Sequence, residues 1–143
     1  MSKRGVVVYL HVHQPWRIKD YSIFDTAVDH KYFNDNSHTD RNNEKILHKV
    51  AGKSYRPMNA LLKQLLDKYP EFKFSLSITG TLLEQAERWA PDVIDDFREL
   101  VETGRVELVA ETYYHSLAFF YSRAEFERQV DAHAAKIYEL FGV

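Results

Sequence analysis

The sequence predicts an α/β fold: a parallel (β/α) barrel of which only about the first three β/α units are present. Runs typical of strands alternate with amphipathic helical segments, which favours a parallel sheet with right-handed crossovers. The predicted strands are polar on one face, whereas a sheet covered by helices on both sides would be apolar throughout. Because closing a barrel takes about eight strands, we expect residues 1–143 to be the amino-terminal segment of a larger catalytic barrel.

The first predicted strand, residues 6–10, is a continuous run of strand-forming residues. Residues 11–53 follow as a long polar and aromatic loop, a type of segment that is usually functional inside a compact domain. A helix is predicted from Ser54 to Tyr69, with Pro57 tolerated in its first turn.

The second half of the chain continues this alternation. Residues 72–78 alternate apolar with polar side chains, as a strand does, and residues 106–110 form a third strand. Thr81 and Glu84 have the spacing of a capping box that opens a short helix. Pro91 opens the next helix, which Gly104 ends. A second capping box, residues 122–125, opens a last helix that ends at Gly142.

Strand periodicity sorts the side chains into two faces, because residues two apart share a face. The polar face carries Tyr9, His11, His13, Ser75, Ser77, Thr79, Glu107, Val109 and Glu111. The other face carries Val8, Leu10, Phe74, Leu76, Ile78, Val106 and Leu108. The polar face is therefore predicted to be the inside of the barrel near its site.

Composition excludes several function classes. Hydrophobic residues make up 45% and charged residues 28%, with a formal net charge of −2, which gives no basic excess for nucleic acid. The absence of cysteine excludes disulfides and thiol catalysis and allows a reducing compartment. The early apolar run is too short for a signal peptide or a membrane span, so we expect a cytoplasmic protein without membrane partners.

Three clusters of reactive side chains follow the three predicted strands, at residues 11–16, 79–85 and 111–116. The carboxyl ends of parallel strands meet at one edge of the sheet, where active sites of such folds lie. Glu111 has the position of a carboxylate mounted on a rigid strand end and aimed at the site. His11 and His13 share its face and can hydrogen-bond a ligand.

These clusters resemble the motifs of glycoside hydrolase family 57. His13-Gln14-Pro15, preceded by His11, is similar to the family's first motif, and the segment from Gly80 to Glu84 is similar to its second region. Residues 110–116 resemble the third region in its α-amylase-like form. The resemblance implies an irregular seven-stranded barrel with retaining hydrolysis or glucan transfer on α-glucans or maltooligosaccharides, and an acid/base Asp on a later strand outside this chain.

The resemblance implies roles for individual residues. Glu111 is the expected nucleophile, and His11, His13 and His115 are expected to contact the sugar or to orient Glu111. The remaining expected substrate-binding residues are Gln14, Trp16, Tyr113 and Glu84. For Glu84 the capping box offers a purely structural interpretation. No metal or organic cofactor is expected, and the open sheet edges favour self-association or a second chain that completes the barrel.

Two other functions stay open on the sequence. His11 and His13 could begin a metallohydrolase site that Glu111 and His115 complete. Alternatively, because the acid/base residue is missing, the chain could be a non-catalytic carbohydrate-binding protein or one subunit of a split enzyme.

Overall fold

A computed structural model describes residues 5–33 and 41–143. Its sheet has three parallel strands in the order β1-β2-β3: β1 is Tyr9–Val12, β2 is Phe74–Ile78 and β3 is Val106–Leu108. The predicted α/β class and the parallel sheet are confirmed. Each connection between neighbouring strands contains helices, as parallel pairing requires.

The register aligns the two predicted faces of the sheet. Leu10 pairs with Leu76, which pairs with Leu108, so these apolar side chains form one row. On the opposite face, His11 pairs with Ser77, and Tyr9 pairs with Ser75. A slip by one residue would move every side chain to the wrong face, so the hydrophobic row fixes the register.

The helices differ from the prediction mainly in the first half of the chain, where the structure has an additional helix. The helices are α1 Asn43–Val50, α2 Arg56–Lys68, α3 Gly80–Trp89, α4 Pro91–Glu102 and α5 Arg123–Phe141. A π-helical turn, Ala51–Tyr55, joins α1 to α2. Short 3-10 turns lie at Ile23–Asp25 and Ala118–Phe120. None of the helices in the described part of the chain is long and apolar enough to cross a membrane.

The predicted loop over residues 11–53 is wrong at its end, and its residues 34–40 lie outside the described part of the chain. Helix α1 begins after Asn42, whose side chain accepts a hydrogen bond from the Lys45 backbone N–H. Asn43, Ile46 and Leu47 are buried, at the i, i+3 and i+4 positions that share one face of a helix. Burial of this narrow apolar stripe, rather than an apolar composition, stabilises the helix.

Two further bounds are corrected. Strand β1 starts at Tyr9 rather than Val6, because Val6 and Val7 are 92% and 86% exposed and gain nothing from packing. Helix α3 is capped by Thr79, whose side chain accepts from the Leu82 backbone N–H, so Thr81 lies inside the first turn. The predicted capping box is therefore wrong, and Glu84 is available for other contacts.

The predicted start at Pro91 and the glycine helix ends are confirmed, whereas only half of the second capping box forms, because the Glu125 side chain contacts Arg128 and Gln129. Pro91 begins α4, and Ser122 caps α5 by accepting from the Glu125 backbone N–H. Gly104 and Gly142 have φ of +67° and +72°, a left-handed conformation that glycine adopts without steric cost.

One hydrophobic core lies between the apolar face of the sheet and the helices. It includes Leu76 and Ile78 of β2, Leu47 of α1, Leu82 of α3 and Val93 of α4, all at most 1% exposed. Leu62 and Leu66 of α2, Phe97 of α4 and Ile137 of α5 belong to the same cluster. Since the helices pack on this face, the opposite face keeps its polar side chains for the site.

Candidate active site

The carboxyl ends of β1 and β3 bring a carboxylate and three imidazoles together. His115 Nδ1 lies 3.2 Å from Glu111 Oε2, and His11 Nδ1 lies 3.6 Å from Glu111 Oε1. The His115 ring is 4.5 Å from the His11 ring and 4.8 Å from the His13 ring, measured between centroids. We call Glu111, His11, His13 and His115 the strand-end cluster.

Glu111, the acidic member of this cluster, is largely enclosed by the protein. Its side chain is only 13% exposed. Its Oε1 atom is buried and accepts no hydrogen bond from the described residues. A buried carboxylate oxygen without a donor costs free energy, about 1–3 kcal/mol or more for a charged group, unless a ligand completes it. One oxygen of Glu111 is therefore left without a hydrogen-bond partner among the described residues.

The first two histidines are held by one residue of β2 and by the residue that follows this strand. His11 Nδ1 is 2.7 Å from Ser77 Oγ, which also hydrogen-bonds the Tyr9 hydroxyl at 2.7 Å. His13 Nδ1 is 3.1 Å from Thr79 Oγ1. Burial lowers the pKa of His13, and the neighbouring histidines His115 and His11 lower it further, so the neutral imidazole is favoured. The polar face is thus a hydrogen-bonded layer.

A tight turn aims His115 at the carboxylate. The His115 N–H donates to the Thr112 carbonyl at 2.9 Å, and His115 has φ of +53°, which is uncommon outside glycine. The Ser116 hydroxyl donates to Gln129 Oε1 on α5 at 2.8 Å, which anchors the turn. Backbone strain of this kind persists only where surrounding contacts hold it.

His133 on α5 supports the site from behind and was missed by the sequence analysis. It is 1% exposed, and its Nε2 donates to the Ile78 carbonyl at 2.8 Å. The Glu111 backbone N–H points to its Nδ1 at 3.5 Å. This pair of contacts joins the ends of β2 and β3. The signal that could have revealed it is a histidine on the apolar face of a helix, in line with Ile137.

Glu84 lies at the centre of a second, aromatic group. Its Oε2 accepts from Trp16 Nε1 at 3.0 Å, and its Oε1 accepts from the Tyr113 hydroxyl at 2.9 Å. Burial and the hydrogen bond to Glu84 both raise the pKa of Tyr113, so its hydroxyl keeps its proton. The Tyr113 ring lies directly against Gly80, where a Cβ would come within 2.5 Å of it.

An aromatic cleft of about 450 Å³ connects the two groups. It is lined by His13, Pro15, Trp16, Phe33, Thr81, Glu84 and Tyr114. The Trp16 ring is held edge-on by Trp89, with centroids 5.5 Å apart. Ring faces beside hydrogen-bonding groups suit an amphipathic ligand such as a sugar.

Gln14 occupies a different position from the other predicted substrate-binding residues. The residue is only 4% exposed, and its side-chain amide lies against the Arg17 guanidinium. Its carbonyl accepts from Gln85 Nε2 at 2.9 Å, which ties the first motif to α3. Gln85 was not singled out from the sequence.

The strand-end cluster has two chemical capacities. One carboxylate oxygen beside two imidazoles can act as a nucleophile next to hydrogen-bond donors. His11, Glu111 and His115 also offer ligand atoms within 4.8 Å of one another, a spacing at which a metal ion could be held. Both capacities depend on the same carboxylate.

Comparison of the sequence with known protein families shows that the chain belongs to one of them. The family model described as Glycosyl hydrolase family 57 matches residues 7–143. The "Putative alpha-amylase" of Methanocaldococcus jannaschii is 40% identical over 133 residues, which are 92% of this chain and 27% of that protein. An alpha-amylase of Pyrococcus horikoshii is 36% identical over 76 residues, covering 53% of this chain and 11% of that protein.

A solved structure shares the fold. The crystal structure of 4-alpha-glucanotransferase from Thermococcus litoralis matches 94% of this chain with a TM-score of 0.64 and 21% identity. The match covers 17% of that protein. The chain thus spans about a quarter or less of these longer proteins.

Proposed function

Because the chain belongs to glycosyl hydrolase family 57, we propose that it forms the amino-terminal part of a catalytic barrel that cleaves or transfers α-glucosidic bonds with retention. The substrate class is α-glucan or maltooligosaccharide. The similar proteins are named as alpha-amylases and a 4-alpha-glucanotransferase, which supports this class of reaction.

The proposal depends above all on Glu111. A retaining glycosidase needs a carboxylate that attacks the anomeric carbon and becomes covalently bound to the sugar. Glu111 is enclosed, lies at the end of β3 and has one buried oxygen without a hydrogen-bond donor. Attack by the Glu111 carboxylate on the anomeric carbon would break the bond to the leaving group, and water would later release the sugar with its original configuration.

A second carboxyl group must protonate the leaving oxygen, about 5–5.5 Å from the first. Glu84 is unsuited to this step, because both of its oxygens accept hydrogen bonds, from Trp16 and Tyr113. We propose, as the resemblance to the family implies, that the acid/base role belongs to an Asp outside these 143 residues. Glu84 instead holds the two aromatic rings beside the cleft.

The histidines are proposed to bind the sugar next to the cleaved bond. The Nδ1 atoms of His11 and His13 contact the hydroxyls of Ser77 and Thr79, respectively, which leaves each Nε2 for a sugar hydroxyl. His115 Nδ1 lies 3.2 Å from Glu111 Oε2 and would hold the carboxylate in the orientation for attack. Trp16 and Tyr114 offer ring faces for further glucose units.

The test is fluoride release from α-maltosyl fluoride, whose leaving group departs without acid assistance. Wild-type chain should release fluoride above the spontaneous rate, and Glu111→Gln should lower that rate by on the order of 10³-fold or to background. The matched control is Glu107→Gln, since Glu107 lies on the same face but is exposed and accepts from Ser75 Oγ. This control should keep the wild-type rate.

Full activity in Glu111→Gln would remove Glu111 from the nucleophile role. If the wild-type chain binds maltooligosaccharides but releases no fluoride, the carbohydrate-binding alternative would be favoured over the catalytic one.

A further inference from the structure

We propose that His11, Glu111 and His115 also form a binding site for a zinc-class divalent cation. Binding itself does not depend on the proposed function. The effect of the ion on activity does rest on the proposed function. An ion held by Glu111 would occupy the carboxylate that attacks the sugar, so the metal-free chain would be the active form.

The ligand set is the first argument. Two imidazoles and one glutamate, with a fourth position left to water, are a common set for zinc. Hard cations such as Mg²⁺ prefer oxygen ligands and are disfavoured by two imidazoles. The three groups come from two strand ends and a turn, so the fold rather than local sequence spacing brings them together.

The distances are the second argument. The ligand atoms of these residues lie within 4.8 Å of one another, and the two shortest contacts to the carboxylate are 3.2 and 3.6 Å. Ligands around tetrahedral zinc are roughly 3.3–3.5 Å apart, given bond lengths of about 2.0–2.2 Å. Closure around the ion therefore requires side-chain movement of up to about 1.4 Å, and His115, which is 52% exposed, has room to move.

The third argument is the carboxylate oxygen of Glu111 that lacks a hydrogen-bond donor in the described part of the chain, and it does not depend on which residues are the ligands. Glu111 Oε1 is buried and accepts no hydrogen bond from the described residues. A cation would complete this atom and remove the cost of leaving it unpaired. Binding of the ion through His11 Nδ1, the nitrogen nearest Glu111, would replace the 2.7 Å contact of this nitrogen with Ser77 Oγ.

The experiment measures zinc binding to the chain produced without a histidine tag, by competition with a chromophoric chelator. Wild type should bind one zinc ion per chain, and Mg²⁺ at equal concentration should not compete. His115→Asn should weaken the dissociation constant by about 100-fold, since outer-shell changes alone cost 10–100-fold. Asparagine suits this variant because it tolerates the positive φ of this position.

The matched control is His48→Asn, which replaces an exposed histidine on α1 outside the cluster and should bind zinc as wild type does. Circular dichroism verifies that each variant is folded. Cobalt substitution adds a second readout, because its ligand-field absorption should appear in wild type and in the control and disappear in His115→Asn.

Zinc affinity that is equal in wild type and His115→Asn, or no stoichiometric binding by folded wild type, would overturn the proposal. The fluoride-release assay on metal-free chain tests the proposed function separately. A failure of that assay leaves the zinc result standing, and absence of zinc binding leaves the nucleophile assignment standing.

Discussion

Substitution of Gly80 by alanine should destabilise the chain through a clash with Tyr113. An alanine Cβ would lie 2.5–2.6 Å from the atoms of the Tyr113 ring, whereas ordinary carbon contacts are about 3.5–4.0 Å. The ring would have to retreat by roughly 1 Å. Overpacking of this kind costs about 1–3 kcal/mol.

The higher helix propensity of alanine opposes this clash and reduces the net loss of stability. Replacing a helical glycine by alanine gains about 0.5–1 kcal/mol, and the backbone of Gly80 is not left-handed. We therefore expect Gly80→Ala to lower the free energy of unfolding by about 1–2 kcal/mol. The matched control is Gly52→Ala, where nothing lies within 4 Å of the new Cβ, so this variant should be stabilised by about 0.5–1 kcal/mol.

The assay is urea unfolding followed by the fluorescence of Trp16 and Trp89. The decisive comparison repeats Gly80→Ala in a Tyr113→Ala background, where the ring is gone and the same change should become neutral or stabilising. If Gly80→Ala costs the same with and without the ring, the clash with Tyr113 is not its cause and the reasoning is refuted.

Two further changes test the contacts that support the site. Tyr113→Phe removes the hydroxyl that donates to Glu84 at 2.9 Å and should cost about 1–2 kcal/mol in urea unfolding; an unchanged midpoint would show that this hydrogen bond contributes nothing. His133→Ala leaves a cavity and an unpaired Ile78 carbonyl, and should cost about 2–4 kcal/mol. His133→Gln, which can still donate, should recover part of that loss, and equal values for the two variants would contradict a hydrogen-bonding role.

The sheet and its polar face follow from local signals in the sequence. Alternation around Ser75 and Ser77 shows which side chains share a face, because strand geometry has a period of two. The same rule placed His11 and Glu111 near each other without any contact information. The aligned apolar residues Leu10, Leu76 and Leu108 fix the pairing register of the strands, because a shift by one residue would expose them.

The start of the first helix could not be predicted from its composition. Helix α1 has only a narrow apolar stripe, and it is stabilised by burial of Ile46 and Leu47 against distant parts of the chain. Thr79 and Thr81 are both plausible caps by residue type. Only the end of β2 decides between them, since it fixes where the chain turns into α3.

Contacts between distant elements set the details of the site. Trp16 and Glu84 are joined by a hydrogen bond across the fold, and His133 meets the Ile78 carbonyl only because α5 packs beside the sheet. Nothing in the local pattern around Glu84 distinguishes a capping carboxylate from one that holds aromatic rings. Such pairings depend on how elements pack, which periodicity does not specify.

The central claim is that Glu111 forms a covalent bond with the sugar, and trapping that species tests it most directly. In a 5-fluoro α-glucosyl fluoride, fluoride leaves without an acid, and the ring fluorine slows release, so the glycosyl-enzyme should accumulate. Intact mass followed by peptide mapping should then show one adduct on Glu111 and none in Glu111→Gln. An adduct on another residue, such as Glu107, or no adduct on folded wild-type chain would contradict the claim.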